Sequence, residues 1–362
     1  MDRNSFFIGI LALLLAFVLL GPNALNEMSM YSSTIEVEEV VAEFVEKFEI
    51  GEEVEQPVSV LAVGDIMLGR FVRTLIDENG SALYPFERIL EQDALFFQGS
   101  DIVFGNLEGP IFEDGYKSST SMIFGFPEYV TPALKEVGFD VMSIANNHIL
   151  NQGFVGYLAT ITTLGEHGIG ACGNPLEENT ENIVYEEHSE SLVGFVCFED
   201  VHHTMNYEDA LEVVAEVSEE ADYVVLSVHW GYEYKHTPNA RVQVERAHGF
   251  VEAGADLIIG HHPHVVQPFE IYEGAPIFYS LGNFVFDQYW GYDVEEGLVV
   301  RVVFDGEDDE GGEIHLFPIH SERSQPYLMN EEELDRFYDR FLGWGDFDEK
   351  MEEMIRAGVV EF

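Results

Sequence analysis

Short runs of branched apolar residues recur along the chain, and several stop abruptly on polar ones. "VSVLAVGD" ends at Asp65, "DIVFGNLE" at Asn106 and Glu108, "DVMSIANNH" at Asn147 and His148, "ADYVVLSVHW" at His229, and "DLIIGHHPH" at His262 and His264. Runs of this kind, bounded by Gly, Pro or Asn, predict buried strands. Between them, helical spacing predicts helices near 85–97, 131–137, 154–167, 207–217 and 241–253. A strand at 192–198 and hairpin-like strands at 265–280, 297–304 and 313–319 complete the pattern. The βαβα rhythm predicts an α/β fold, with the later antiparallel strands forming a mixed second sheet. Residues 321–362, which include "NEEELDRFYDRFLGW", read as a solvated helical extension. No internal repeat is visible.

The N-terminus follows another pattern. After Arg3, "FFIGILALLLAFVLL" (6–20) is unbroken apolar sequence. Fifteen residues span about 22 Å as a helix, short of a ~30 Å hydrocarbon core. Residues 1–25 are therefore expected to be a signal anchor holding an extracellular domain at the cell membrane. Secretion after signal cleavage is the alternative. An acidic spacer, 26–56, follows, and the folded part is expected over 57–320.

Charge narrows the partners. The chain carries 68 acidic and 16 basic residues, a formal net charge of −52. Such a surface repels nucleic acid, which excludes that class of partner. It suits a salt-rich milieu, because screening at molar salt reaches only about 3 Å, and a halophilic source is expected. Cys172 and Cys197, the two cysteines, exclude a disulfide scaffold or thiolate cage and can pair only if the fold brings them together.

If the five polar-ended strands are parallel, their clusters converge on one rim, where sites in α/β sheets form. Two carboxylates (Asp65, Glu108), an amide (Asn147) and three imidazoles (His229, His262, His264) then meet. This oxygen and nitrogen set without sulfur suits Mn²⁺, Fe or Zn²⁺. Six such groups exceed the needs of one tetrahedral ion and fit a pair of divalent metal ions. His261 reads as a packed or hydrogen-bonded neighbour, because alternate side chains of an extended segment face opposite ways.

The ordered set "GD", "GNLE", "ANNH", "HWG", "GHHPHVVQPFEIY" and "IFYSLGNFVFDQ" resembles the CapA family of poly-γ-glutamate capsule synthesis proteins over about 58–320. The resemblance implies a calcineurin-like metallophosphoesterase fold, a four-layer α-β-β-α sandwich with mixed sheets. It implies Asp65, Glu108, Asn147, His229, His262 and His264 as metal ligands and His148 as general acid, with Asn106 beside Glu108. Met67 stands where other phosphoesterases place a ligand histidine. Asn151 stands where the family usually has an aspartate, so the carboxylate expected to orient His148 is missing.

Other residues keep two readings. Trp230, Glu233 and Tyr234 line a substrate cleft, or Trp230 packs the core. Asn283 belongs to the site or supports a tight turn at Gly282. His202 and His203 read as surface residues. Two functions remain open. One is a metal-dependent hydrolase acting on a phosphoester or an anionic polymer. The other is a non-turnover role in making or exporting poly-γ-glutamate beside membrane synthase subunits.

Overall fold

The computed structural model describes residues 57–113, 115, 122–189, 191–305 and 311–362; the expected anchor and acidic spacer lie outside them. In chain order the strands are β1 (Val58–Ile66), β2 (Ile102–Leu107), β3 (Val141–Ser143), β4 (Gly170–Cys172), β5 (Val184–His188), β6 (Ser191–Glu199), β7 (Tyr223–His229) and β8 (Leu257–His261). Then come β9 (Phe269–Tyr272), β10 (Ala275–Phe278), β11 (Asn283–Val285), β12 (Glu296–Phe304), β13 (Gly312–Glu322), β14 (Gln325–Leu328) and β15 (Val359–Glu361). The first sheet runs β14-β13-β12-β1-β2-β3-β4, with β11 on β1 and β15 on β13; the second runs β5-β6-β7-β8-β10-β9.

Both sheets are mixed. Strands β1 to β4 are mutually parallel, while β12 runs antiparallel to β1. Strands β6, β7, β8 and β10 are parallel, with β5 and β9 antiparallel at the edges. The late strands β12 to β15 join the first sheet, not the second as their hairpin pattern suggested. The cause is pairing: β12 lies against β1 from Val58↔Phe304 to Ala62↔Val300.

Four layers follow from the side chains. Along β1, Leu61 and Val63 pack into a core shared with helices α1 (Arg70–Asn79), α2 (Tyr84–Gln92), α3 (Thr131–Val137) and α4 (Gly153–Glu166). Val60 and Ala62, on the opposite face, enter the core between the sheets. A strand buried on both faces reads as continuously apolar. There Phe104 of β2 stacks on Phe195 of β6, ring centroids 5.6 Å apart. A third core joins the outer face of the second sheet to α5 (Tyr207–Ser218) and α6 (Glu245–Glu252). Cys172, ending β4, and Cys197 in β6 form a disulfide with Cα atoms 5.6 Å apart, tying the sheets covalently. Among the described residues, no helix is long and apolar enough to cross a membrane.

Residues after 320 are helical in part, yet they are not a solvated appendage. Helix α8 (Glu331–Phe341), after the one-turn helix α7 (Tyr292–Glu295), starts at a capping box of Asn330 and Glu333. It buries Phe337, Tyr338 and Phe341 in the inter-sheet core. After α9 (Glu349–Ala357), β15 pairs with β13, Ile314 opposite Val360. An acidic outer face and an apolar stripe coexist on one helix.

Candidate metal centre

Strand register assembles the first wall of the site. Asp65 stands opposite Asn106 of β2 on one side and Asn283 of β11 on the other. In the second sheet, His229 stands opposite His261 of β8. The five polar-ended strands are parallel within each sheet but divided between the two, so the site lies where the sandwich opens. A glycine precedes the key residue on each wall. A Cβ on Gly64 would lie 2.0 Å from the Gly282 carbonyl oxygen, and one on Gly260 2.0 Å from that of Tyr279. Only glycine lets the backbones approach this closely.

Two buried carboxylates have opposite surroundings. Asp65 accepts from Asn106 Nδ2 (2.8 Å), His261 Nδ1 (3.1 Å), His264 Nδ1 (3.2 Å) and the His262 N–H (3.3 Å). Glu108 is equally buried, and neither of its oxygens has a hydrogen-bond partner among the described residues. Its Oε1 lies 3.6 Å from His264 Nε2 and 3.9 Å from His148 Nε2. Burial by itself raises a carboxyl pKa. At Asp65 the imidazoles of His261 and His264 overcome burial and hold the group well below the usual range. At Glu108 burial wins, and the carboxyl lies well above it.

The imidazoles divide similarly. Burial lowers His264, but Glu108 and Asp65 reverse this and raise it to about 9. Burial depresses His229 strongly, His262 to about 3 and His148 to about 4. His229 Nε2 lies 3.2 Å from Asn147 Oδ1, and its Nδ1 lies 3.4 Å from Asn106 Nδ2. His264 Nδ1 also faces Asn283 Oδ1 at 3.0 Å, which leaves Nε2 toward Glu108. Asn283 therefore orients a site histidine besides following the turn at Gly282, donating to the Val294 carbonyl (2.9 Å). His262 Nδ1 is buried without a partner among the described residues.

The missing aspartate at 151 has a substitute. Asn151 Oδ1 lies 3.0 Å from His148 Nδ1 and also accepts the Phe124 N–H at 2.6 Å. That oxygen cannot donate, so Nδ1 carries the proton and a neutral His148 presents a lone pair at Nε2. The orientation expected of a carboxylate is kept and its charge is not. Phe124 stacks on the imidazole, centroids 3.9 Å apart. Met67 is buried, its sulfur accepting the Gly69 N–H.

Trp230 is a core residue, fully buried against α5 and α6 with Nε1 donating to the Tyr279 carbonyl (3.0 Å). Glu233 is exposed at the rim, and His202 and His203 lie exposed on a loop. Sequence reasoning overlooked Asn146, which donates to Asn106 Oδ1 and the Leu107 carbonyl and so locks the two loops together. The cleft of about 290 Å³ beside His148 and His264 is walled by Tyr234, as expected from the sequence, and by Arg70, Phe124, Phe286 and Trp290, which sequence reasoning missed. Arg70 there is paired with Asp287.

These donors suit a divalent cation. A bare buried carboxylate is costly in isolation, and Glu108 sits among oxygen and imidazole donors of the kind such ions take. Ligand atoms of Asp65, Glu108 and His229 lie within 4.8 Å of one another, as do those of Glu233, His262 and His264.

Comparison with known proteins follows the same stretch of chain. The family described as "Bacterial capsule synthesis protein PGA_cap" matches residues 59–288. The PGA biosynthesis protein CapA of Bacillus subtilis (strain 168) is 34% identical over 254 residues, 66% of this chain and 65% of that protein. The capsule biosynthesis protein CapA of Bacillus anthracis is 34% identical over 266 residues, 67% and 63% of the respective chains. The chain thus spans slightly less than two thirds of each Bacillus relative. Among solved structures, a phosphatase from Mycoplasma pneumoniae is similar at 13% identity and a TM-score of 0.46, covering 79% of this chain and 99% of that one.

Proposed function

Because this chain belongs to the bacterial capsule synthesis protein family PGA_cap, we propose that it serves the making or export of poly-γ-glutamate through a cleft that holds divalent cations. Asp65, Glu108, Asn147, His229, His262 and His264 hold two ions of the Mn, Fe or Zn kind, and His148 carries protons. The observation behind this reading is Glu108, a buried carboxylate whose oxygens have no hydrogen-bond partner among the described residues. Bound ions polarise an anionic substrate and activate water. They also make the cleft a place where a chain of net charge −52 can grip an anionic polymer. The names of the two CapA relatives support the process.

In this reading Asn151 fixes His148 by its Nδ1 proton and Nε2 accepts a proton from the reacting group. An anion in the cleft then favours the imidazolium, which can return the proton. The domain works outside the cell on its N-terminal anchor, and the disulfide between the sheets supports an oxidising location. A non-catalytic, polymer-holding subunit of a synthase complex is the second reading, favoured by the amide of Asn151 that stands against His148 in place of a carboxylate.

One experiment separates them. Full-length protein in high salt with Mn²⁺ is assayed on an aryl phosphate and on poly-γ-glutamate beside His148→Ala. Turnover that falls by about 100-fold or more in the variant supports the hydrolase. No turnover, with polymer output lost in cells carrying Glu108→Gln, supports the holding role. Unchanged output from those cells would sink any metal-dependent role in synthesis.

A further inference from the structure

The geometry points to Glu233 as a ligand of a second, outer cation, with His262 and His264. This rests on the reading of the cleft as a metal site and adds a residue that the matched motif ligands do not include. Three observations carry it. The carboxylate of Glu233 and the imidazoles of His262 and His264 have ligand atoms within 4.8 Å of one another. His262 is 4% exposed, and its Nδ1 has no hydrogen-bond partner among the described residues. The loop bearing Glu233 is bonded to the histidine loop through its backbone. Trp230 N–H donates to the His261 carbonyl (3.1 Å) and Tyr234 N–H to that of Pro263 (2.8 Å). Glu233 is thus carried to the histidines by main-chain bonds.

The two triads share no residue and differ in access. Asp65, Glu108 and His229 are all buried, whereas Glu233 is exposed. The inner triad suits a tightly held ion. The outer one suits an ion that exchanges with solvent and meets an incoming anion first. Glu233 offers a hard oxygen donor beside the nitrogen donors of two imidazoles. It sets the affinity of the outer ion without touching the core.

The test is metal stoichiometry. Full-length protein is dialysed against graded Mn²⁺ and its metal content measured, and Co²⁺-loaded protein is followed by its visible absorption spectrum. Wild type is expected to bind two ions in separable phases. Glu233→Gln keeps the tighter phase and weakens the other by at least about tenfold, with loss of one spectral component. Glu219→Gln, an exposed acid on α5's end, is expected to leave both phases unchanged and so reports the general loss of charge. Two undiminished ions in Glu233→Gln, equal weakening by Glu219→Gln, or a single ion in wild type overturns the inference. Wild type that binds no ion removes the metal reading along with it, whereas an undiminished Glu233→Gln leaves that reading standing.

Discussion

Apart from His148, the first sheet supplies the site with oxygen atoms, and the second supplies it mainly with nitrogen. Asp65, Asn106, Glu108, Asn147 and Asn283 come from β1, β2, β11 and the loops after β2 and β3. His229, His261, His262 and His264 come from β7, β8 and the loop after β8. The oxygen wall is set by register, with Asp65, Asn106 and Asn283 in one row across three strands. Part of the imidazole wall is set by a loop in which His262 and His264 take positive φ of 96° and 58°. For non-glycine residues that backbone costs on the order of 1–3 kcal/mol, so the bonds to Asp65 and Asn283 must hold it. Neither wall alone holds all of the candidate donors. The site belongs to the apposition of the two sheets.

The strongest way to break the comparison is to remove charge from the oxygen wall. Asp65→Asn takes away the carboxylate that receives four donors from both walls. Breaking such a buried charged group is expected to destabilise the fold by about 3–5 kcal/mol. It should also weaken Mn²⁺ binding by more than about 100-fold. His262→Ala, on the other wall, should weaken it less, because a neutral donor leaves the net charge of the site unchanged. Calorimetric titration and denaturant unfolding read both quantities. Equal losses in the two variants would mean that the walls are not chemically distinct.

The covalent tie between the sheets gives the next effect. Cys172 and Cys197 are 25 residues apart in sequence, and opening a loop of that length is worth about 3 kcal/mol. The Cys172→Ala, Cys197→Ala pair is expected to unfold at correspondingly lower denaturant. Its metal affinity should change by less than about tenfold, because β4 is the edge strand, separated from β1 by β2 and β3. A larger loss of affinity with intact stability would show that the bond acts on the site and not on the sandwich.

Much of both walls was legible in the sequence. Apolar runs that stop at Asp65, Glu108 and His229 betray strand ends, because a buried strand can change to polar residues only where it leaves the core. What pairs at long range was not legible. Nothing in "ANNH" says that Asn146 turns inward to Asn106 while Asn147 faces His229. The contact of Arg70 with Asp287, and the pairing of the cysteines from different sheets, depend on packing alone. Trp230 after a strand end reads equally as cleft or core. The tail carried a usable signal, since Leu334, Phe337, Tyr338 and Phe341 follow helical spacing. Its dense acidic face outweighed that stripe.

The subtlest difference between the walls lies at residue 151, where an amide of the oxygen wall holds His148 without charging it. In wild type the pKa of His148 is about 4 against an ordinary 6.5, with burial as the main cause and the bond to Asn151 opposing it. A histidine depressed on folding stays neutral in the native state while the unfolded chain takes up a proton. Its contribution is therefore full above pH 6.5 and is lost as pH falls from 6.5 toward 4. Asn151→Asp places a carboxylate against the Nδ1 proton and keeps an acceptor for the Phe124 N–H. An opposite charge at that distance raises an imidazole pKa by about 1–3, so the loss on acidification shrinks. The variant should match wild type in melting temperature above pH 6.5 and gain on it progressively below. Thermal unfolding across pH, with histidine NMR titration of both proteins, measures the gap. Parallel curves and an unmoved His148 resonance would show that residue 151 orients the imidazole without influence on its proton.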